Sequence, residues 1–201
     1  MNDKVVFSFG RLNPLTVGHL KLVDTIEAKA KSEGADARMY LSHTQNKKKD
    51  PLSYADKIKY ATKAFGSIVT KSPAKTIIQV LKELEADGYT DAIMIVGSDR
   101  VSEFDRLLTK YNGKDYNFDS IEVKSAGERD PDSDGVDGMS ASKMRAAVKA
   151  GEYDKFKSGL PPKLSDADAK YLYKEIDDTL VESLDESLTS YEDYLITYGL
   201  A

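Results

Sequence analysis

Short apolar runs alternate with amphipathic stretches over the first 125 residues, and this alternation restricts the fold more than any other feature. The runs typical of strands cover residues 4–9, 37–42, 67–70, 91–97 and 120–124. Two of them, at 5–9 and 92–96, are almost continuously apolar, as in strands buried on both faces of a sheet. Strands that alternate with helices pair in parallel through right-handed crossovers. The sequence therefore predicts an α/β fold: a Rossmann-like parallel sheet flanked by helices on both faces.

The stretches between these runs carry apolar residues at the three- and four-residue spacing of amphipathic helices. This spacing predicts a helix after residue 19 and further helices over 53–65 and 74–87. In the last of these, the apolar face consists of Ile77, Val80, Leu81 and Leu84. Another helix is predicted after Ser140, a residue type that caps helix N-termini.

The pattern changes at Gly159-Leu160-Pro161-Pro162, which interrupts the chain. A long helix is predicted from residue 165 or 166. Its apolar side is formed by Leu172, Ile176, Leu180, Leu184 and Leu188. We therefore expect a main domain over residues 1–160 and an acidic, helical C-terminal extension over 161–201.

The charge of the chain is unevenly distributed. Residues 175–201 carry eight acidic and no basic side chains, so leaving them out changes the net charge from −5 to +3. A mildly basic main domain suits a small polyanion such as a nucleotide, whereas duplex nucleic acid requires a concentrated basic face. We expect no nucleic-acid partner. The acidic extension either binds a partner, mediates a homo-oligomer or lies back on the main domain.

Composition also narrows the classes of site and compartment. The chain has no cysteine and two histidines, His19 and His43, which argues against thiolate and multi-histidine metal sites. The lack of cysteine suits a reducing compartment, and no apolar run approaches the roughly 20 residues of a membrane-spanning helix. The N-terminus does not resemble a signal peptide. We expect a cytoplasmic protein without a membrane partner.

The segment from Gly10 to His19 joins the first predicted strand to the first helix and reads Gly-Arg-Leu-Asn-Pro-Leu-Thr-Val-Gly-His. Such a turn directs backbone N–H groups and the positive end of a helix dipole at one point, which favours a phosphate. His19 lies at the start of the helix, where that phosphate would bind. The segment lacks the lysine of a P-loop and the glycines of a dinucleotide fingerprint. The alternative is a histidine that only caps or packs.

A second candidate site is the predicted helix start at Met139–Arg145. Ser140, Ser142 and Arg145 would gather two hydroxyl groups and a guanidinium there. The planar guanidinium can bind two phosphate oxygens at once. The alternative is a capped surface helix without a ligand.

Two further segments follow predicted strands, and the carboxyl ends of parallel strands form ligand sites. Lys47-Lys48-Lys49 is expected as a flexible basic loop that closes over phosphates, unless it is a solvated charge run. In Gly97-Ser98-Asp99, the glycine lets a flat base approach the backbone and Asp99 can accept from a ribose or base. The alternative there is a helix cap by Ser98 or Asp99.

The loop over residues 125–138 is long and polar, as in a lid or an insert. Its acidic residues are Glu128, Asp130, Asp132, Asp134 and Asp137. They do not complete a calcium loop, because no glutamate closes the pattern at the required distance. We therefore expect no metal held by protein ligands.

Together these segments resemble the signatures of the nucleotidyltransferase superfamily, (H/T)-x-G-H and I-S-x-T-x-x-R, of the cytidylyltransferase-like group. Thr16-Val17-Gly18-His19 is similar to the first signature, and Met139–Arg145 to the second, with Met for Ile and Ser for Thr. The chain is most similar to archaeal-type nicotinamide-nucleotide adenylyltransferases, including virus-encoded members. Their G-R-x-Q-P, L-S-H and R-D-P-F-T segments resemble Gly10–Pro14, Leu41–His43 and Lys49–Ser53. The resemblance spans residues 4 to about 160, so it implies a nucleotidyltransferase domain over 1–160.

Three departures leave the acceptor open. Thr16 stands where that subfamily has its first histidine, as in phosphopantetheine adenylyltransferases, and Lys49 stands where it has arginine. No tryptophan is present to stack on a nicotinamide ring. The first expectation is nicotinamide mononucleotide, giving NAD. The alternatives are phosphopantetheine, or glycerol phosphate with CTP, or a non-catalytic protein that binds nucleotide or serves assembly.

The resemblance implies that AMP passes from ATP to a small phosphorylated acceptor and that pyrophosphate leaves. His19 and Thr16 would contact the triphosphate, and Arg145 would hold the phosphates that become pyrophosphate. Mg²⁺ is expected as a cofactor carried mainly by the triphosphate. The residues implied in catalysis are Thr16, His19, Lys49 and Arg145. The residues implied in nucleotide binding are Gly10, Arg11, Gly18, Gly97, Asp99, Ser140 and Ser142.

Overall fold

The core of the protein is a sheet of five parallel strands. A computed structural model describes residues 2–127 and 139–197, with side chains as far as residue 183. The strands are β1 (Lys4–Gly10), β2 (Asp36–Leu41), β3 (Val69–Thr70), β4 (Asp91–Val96) and β5 (Ser120–Ser125). Their order in the sheet is β3-β2-β1-β4-β5, and every neighbouring pair is parallel. The predicted α/β, Rossmann-like fold is confirmed.

The α-helices of the described residues follow the strands in chain order. They are α1 (Gly18–Glu33), α2 (Tyr54–Phe65), α3 (Ile77–Ala86), α4 (Val101–Tyr111), α5 (Ala141–Lys149), α6 (Tyr153–Ser158) and α7 (Asp166–Thr197). Helix α3 begins three residues later than the predicted 74–87, because Thr76 caps it by accepting from the Gln79 N–H at 3.3 Å. Helices α4 and α6 were not specified from the sequence. Helix α4 buries Phe104 and Leu108, with Val101, Leu107 and Tyr111 partly buried against the same cluster, and α6 buries only Phe156.

The sheet is covered on both faces, which explains the continuously apolar strands. Val5 and Phe7 of β1 point into a hydrophobic cluster with α3 and α4. Val6, between them, belongs to a second cluster, formed with α1, α2, α5, α6 and α7. This alternation follows from the two-residue period of a strand.

Residues 166–183 of α7 lie against the main domain. Ala169, Leu172, Ile176 and Leu180 are buried in the cluster that α1 and α2 share. Asp168 also pairs with Lys63 of α2 at 2.6 Å. The side chains of Leu184 and Leu188, and the acidic side chains beyond residue 183, lie outside the described residues. No helix in the described ranges is both long and apolar enough to cross a membrane.

Candidate active site

Strands β1 and β4 separate at the carboxyl edge of the sheet. Their pairing ends at Phe7 and Met94, whereas β1 pairs with β2 as far as Gly10 and β4 pairs with β5 as far as Val96. A crevice therefore opens between the last residues of the two central strands. In parallel α/β sheets, ligands bind at this reversal of strand order.

The loop that leaves β1 at this crevice orients His19. Thr16 is completely buried, and its backbone N–H donates to Nδ1 of His19 at 2.8 Å. The Thr16 hydroxyl oxygen lies 3.1 Å from the same nitrogen. Because Nδ1 accepts a hydrogen bond, the neutral imidazole carries its hydrogen on Nε2. In this tautomer, Nε2–H can donate to an anionic oxygen.

Gly10 makes room for an unusual conformation in the same loop. Leu12 has a φ of +45°, a region that leucine rarely adopts, and its side chain is buried. A Cβ on Gly10 would lie 3.0 Å from Cδ1 of Leu12. Gly10 therefore has a packing role in addition to any contact with a nucleotide.

Fewer backbone donors are available at the start of α1 than the sequence predicts. The N–H of Val17 donates to the carbonyl of Gly159 at 2.8 Å. The N–H groups of His19 and Leu20 donate to the carbonyls of Thr16 and Val17 at 2.9 Å each. These amides are engaged within the protein, so they are not available to an anion at this helix end.

Gly159 joins the two predicted helix starts. Its carbonyl binds the segment before α1, as described. A Cβ at this position would lie 2.2 Å from Sδ of Met144 and 2.5 Å from Cγ of Met139, at the start of α5. Glycine permits this close approach, so the connection between α6 and α7 holds the N-termini of α1 and α5 together.

Asn13 connects three segments of the site. Its side chain is buried, with the residue 1% exposed, and its Nδ2 donates to the carbonyl of Leu52 at 3.1 Å. Its Oδ1 accepts from the N–H of Leu52 at 3.0 Å. Its backbone carbonyl accepts from Nη1 of Arg145 at 2.5 Å. Segments far apart in the chain therefore meet at this asparagine.

The α5 residues are arranged around the Arg145 guanidinium. Nη2 of Arg145 donates to the Ser142 hydroxyl at 3.2 Å. Ser140 is the N-cap, and its hydroxyl accepts from the Lys143 N–H at 3.1 Å. Burial lowers the pKa of Arg145; Arg11 also lowers it, while Asp50 raises it. The charges of Arg11 and Asp50 thus lie close enough to Arg145 to affect its pKa.

Asp50 is a buried carboxylate among cations. The residue is 5% exposed, and its Oδ2 lies 3.6 Å from Nη1 of Arg11, whose side chain is 63% exposed. The backbone of Asp50 is held by paired hydrogen bonds to Asn46, at 2.8 and 2.9 Å. The backbone of Asp50 is therefore fixed and its side chain is buried, whereas the outer part of Arg11 reaches solvent.

Lys57 of α2 is a buried cation behind this pair. The residue is 1% exposed, and its Nζ donates to the carbonyls of Ser42 at 2.5 Å and Thr44 at 3.1 Å. Burial lowers the pKa of Lys57 to about 8; Arg11 also lowers it and Asp50 raises it. The ammonium group has no carboxylate within ion-pair distance among the described residues. The candidate site therefore contains one buried carboxylate, Asp50, and three cations: Arg11, Lys57 and Arg145.

The lysine run forms a folded turn instead of the expected flexible loop. The N–H groups of Lys48 and Lys49 donate to Oδ1 of Asn46 at 3.0 and 3.1 Å. Lys47 forms an ion pair with Glu182 of α7 at 3.3 Å. Lys49 is exposed one residue before Asp50, so it lies at the rim of the basic group.

Gly97 and Asp99 lie on the other side of the crevice, after β4. Asp99 is exposed in a short 3₁₀ turn at Ser98–Arg100. A Cβ on Gly97 would lie 2.7 Å from Oδ1 of Asp99, so the carboxylate folds back over the glycine. The structure thus places these two residues on the β4 side and the basic residues on the β1–β2 side.

Three site residues were given no role from the sequence: Asn13, Asp50 and Lys57. For Lys57 a signal was available, because it lies three residues after Tyr54 and four before Ala61, on the apolar face of the predicted helix. The contacts of Asn13 and Asp50 join distant segments, and the sequence signal for each was its place in a segment that resembles a family motif, Gly10–Pro14 or Lys49–Ser53. Residues 128–138, with Gly138 and the predicted lid and acidic residues, lie outside the described residues.

Within residues 2–127 and 139–183, no group of three or more histidine or acidic side chains could hold a metal ion. No known protein-family model matches the chain, and no curated protein matches it.

Proposed function

We propose that the protein is a nucleotidyltransferase that transfers a nucleoside monophosphate to a phosphate-bearing acceptor and releases pyrophosphate. The observation that carries this proposal is the 2.5 Å hydrogen bond from Arg145 to the carbonyl of Asn13. It joins the second sequence motif to the loop that orients His19, at the crevice beside β1. A single triphosphate could then contact both motifs.

In the proposed reaction, an acceptor phosphate oxygen forms a bond to the α-phosphorus of the nucleoside triphosphate. The bond between that phosphorus and the β-bridging oxygen breaks, and pyrophosphate leaves with the electron pair. The protein forms no covalent bond, so it acts by positioning the reactants and stabilising charge. His19 would donate from Nε2 to a phosphate oxygen, and Arg145 and Arg11 would offset the charge that moves onto the leaving group.

Mg²⁺ would enter the site bound to the triphosphate and would neutralise part of its charge. The donor set of the protein fits this arrangement. Asp50, the buried carboxylate of the site, already faces Arg11 at 3.6 Å, and Asp99 is exposed. Oxygen ligands for Mg²⁺ would therefore come mainly from phosphates and water.

The resemblance described above favours ATP as donor and nicotinamide mononucleotide as acceptor, with NAD as product. The test is incubation of the full chain with Mg²⁺, ATP or CTP, and one acceptor at a time: nicotinamide mononucleotide, phosphopantetheine or glycerol phosphate. Mass spectrometry identifies the product, and released pyrophosphate gives the rate. We expect NAD in the first reaction. Nucleotide binding without pyrophosphate release from any combination would contradict the enzymatic proposal.

Two variants connect this activity to the site. We expect His19→Ala to lower the rate by about 100-fold or more, because a donor aimed at developing charge is lost. Arg145→Lys should also lower it strongly, since lysine lacks the planar pair of donors. Arg106→Lys on the exposed surface of α4 is the matched control, and its rate should equal that of the wild type.

A further inference from the structure

Asp50 and Lys57 are the two buried residues with charged side chains in the described part of the chain. Both lie beside the candidate site. A buried charge costs free energy unless a partner offsets it, and apolar side chains of similar size are often as stable in such positions. A role in the site gives a reason for keeping both buried charges.

Asp50 occupies the position of an anionic partner for Arg11. Its carboxylate lies 3.6 Å from the guanidinium, and paired hydrogen bonds to Asn46 hold the backbone of Asp50. Carboxylate and phosphate groups bind guanidinium in the same geometry. A phosphate that enters the crevice must therefore compete with Asp50 for Arg11, whose exposed side chain can turn toward it.

Lys57 stays in place when Arg11 moves. Two carbonyl groups, of Ser42 and Thr44, hold its ammonium, and almost none of the residue reaches solvent. The charged groups that act on it are Asp50, which attracts the ammonium, and Arg11, which repels it. Departure of Arg11 removes this repulsion and leaves Lys57 as a fixed positive charge for Asp50.

We propose that Asp50 holds Arg11 in the place of a phosphate group until the nucleotide binds, and that Lys57 is the positioning residue that balances Asp50 afterwards. This inference rests on the proposed function, since it assumes that the crevice binds a chain of phosphates. It assigns to Lys57 a role in releasing Arg11, with no direct contact to the ligand.

The experiment is calorimetric titration of the full chain with inorganic tripolyphosphate at pH 7 and low salt. Asp50→Asn should bind about tenfold more tightly, because Arg11 no longer has a competing carboxylate. Lys57→Met should bind about tenfold more weakly, because Asp50 then retains Arg11. In the double variant, the loss of Lys57 should matter little, so the affinity should lie within about threefold of that of Asp50→Asn.

Three single variants serve as controls. Lys57→Arg keeps the positive charge and should bind within about threefold of the wild type. Lys63→Met removes an exposed lysine on the same helix, and Asp87→Asn removes an exposed carboxylate that pairs with Arg38. Both change the net charge as the test variants do, and both should bind as the wild type does.

The outcomes separate this inference from the proposed function. A wild-type chain that does not bind tripolyphosphate contradicts the proposed function itself. A wild-type chain that binds, with Asp50→Asn no tighter, or with Lys57→Met equally damaging in both backgrounds, overturns the inference alone. If Lys57→Met does not fold by circular dichroism, the Asp50→Asn comparison decides the question.

Discussion

Replacement of Asn13 by alanine tests whether one buried amide assembles the site. The change removes two hydrogen bonds, from Nδ2 to the Leu52 carbonyl at 3.1 Å and from the Leu52 N–H to Oδ1 at 3.0 Å. Alanine retains the backbone carbonyl that accepts the hydrogen bond from Arg145. The geometry of this bond then depends on a loop that has lost its attachment to the Asp50–Leu52 segment.

The expected loss of stability follows from the two backbone groups of Leu52. Leu52 is 1% exposed, so water cannot readily replace the missing partners. Each of the two unsatisfied buried groups costs about 1–3 kcal/mol, which gives a loss of roughly 2–6 kcal/mol in the free energy of unfolding. For a chain of this length, each kcal/mol lowers Tm by about 2–4 °C. We therefore expect a fall in Tm of roughly 4–24 °C.

The protein contains a matched control at the other end of the sheet. Nδ2 of Asn112 donates to the Phe118 carbonyl at 3.0 Å, and its Oδ1 accepts from the Phe118 N–H at 2.9 Å. Asn112→Ala thus removes the same pair of bonds away from the crevice. Thermal unfolding and pyrophosphate release, with the rate measured well below both Tm values, would compare the two variants.

We expect both variants to be less stable and only Asn13→Ala to lose activity, by about tenfold or more. Equal activity of folded Asn13→Ala and wild type would refute the claim that Asn13 positions the site. Equal loss of activity in the two variants would show that activity follows stability alone.

Three further predictions concern stability. Because the pKa of Lys57 is about 8 in the folded state against 10.5 ordinarily, the unfolded chain binds more protons between these values. The free energy of unfolding of the wild type should therefore rise between about pH 8 and 9.5. We expect this rise to exceed that of Lys57→Met by up to about 2 kcal/mol, measured by urea unfolding at each pH. Gly159→Ala should cost about 1–3 kcal/mol, because Met139 and Met144 must move, and a wild-type urea midpoint would contradict this. Tyr54→Phe removes the hydroxyl group that donates to the Ser72 carbonyl at 2.8 Å and accepts from the Ser72 N–H at 3.1 Å. We expect the free energy of unfolding to fall by about 1–2 kcal/mol, and an unchanged Tm would refute this expectation.

The central strands were predictable because burial on both faces leaves a continuous apolar run. Residues 92–96 illustrate this, since they lie between the two hydrophobic clusters. Short or lightly buried helices were not predictable for the converse reason. Helix α6 buries Phe156 alone among its six residues, so no periodic pattern exists to detect.

The contacts of the candidate site were predictable only where both partners lie in the same short motif. The Thr16–His19 hydrogen bond spans three residues, so it belongs to a local pattern. The contacts of Asn13 with Leu52 and Arg145 join residues that are 39 and 132 positions apart. Spacing along the chain carries no information about such contacts. The same limit applies to the engaged N–H of Val17, whose acceptor is Gly159.

The two hydrophobic clusters are completed at different points of the chain. The cluster with α3 and α4 contains no residue beyond Val123 among those described, whereas the other needs Met144, Phe156 and Leu172. The polypeptide leaves the ribosome from its N-terminus, so the hydrophobic cluster on one face of the sheet can form first. The apolar side chains on the opposite face then remain exposed and accessible to chaperones. Arg145 belongs to α5, which is synthesised late together with α6 and α7, the helices that cover this second face. A nascent chain therefore cannot assemble the three cations of the candidate site, Arg11, Lys57 and Arg145, before this late layer of helices forms.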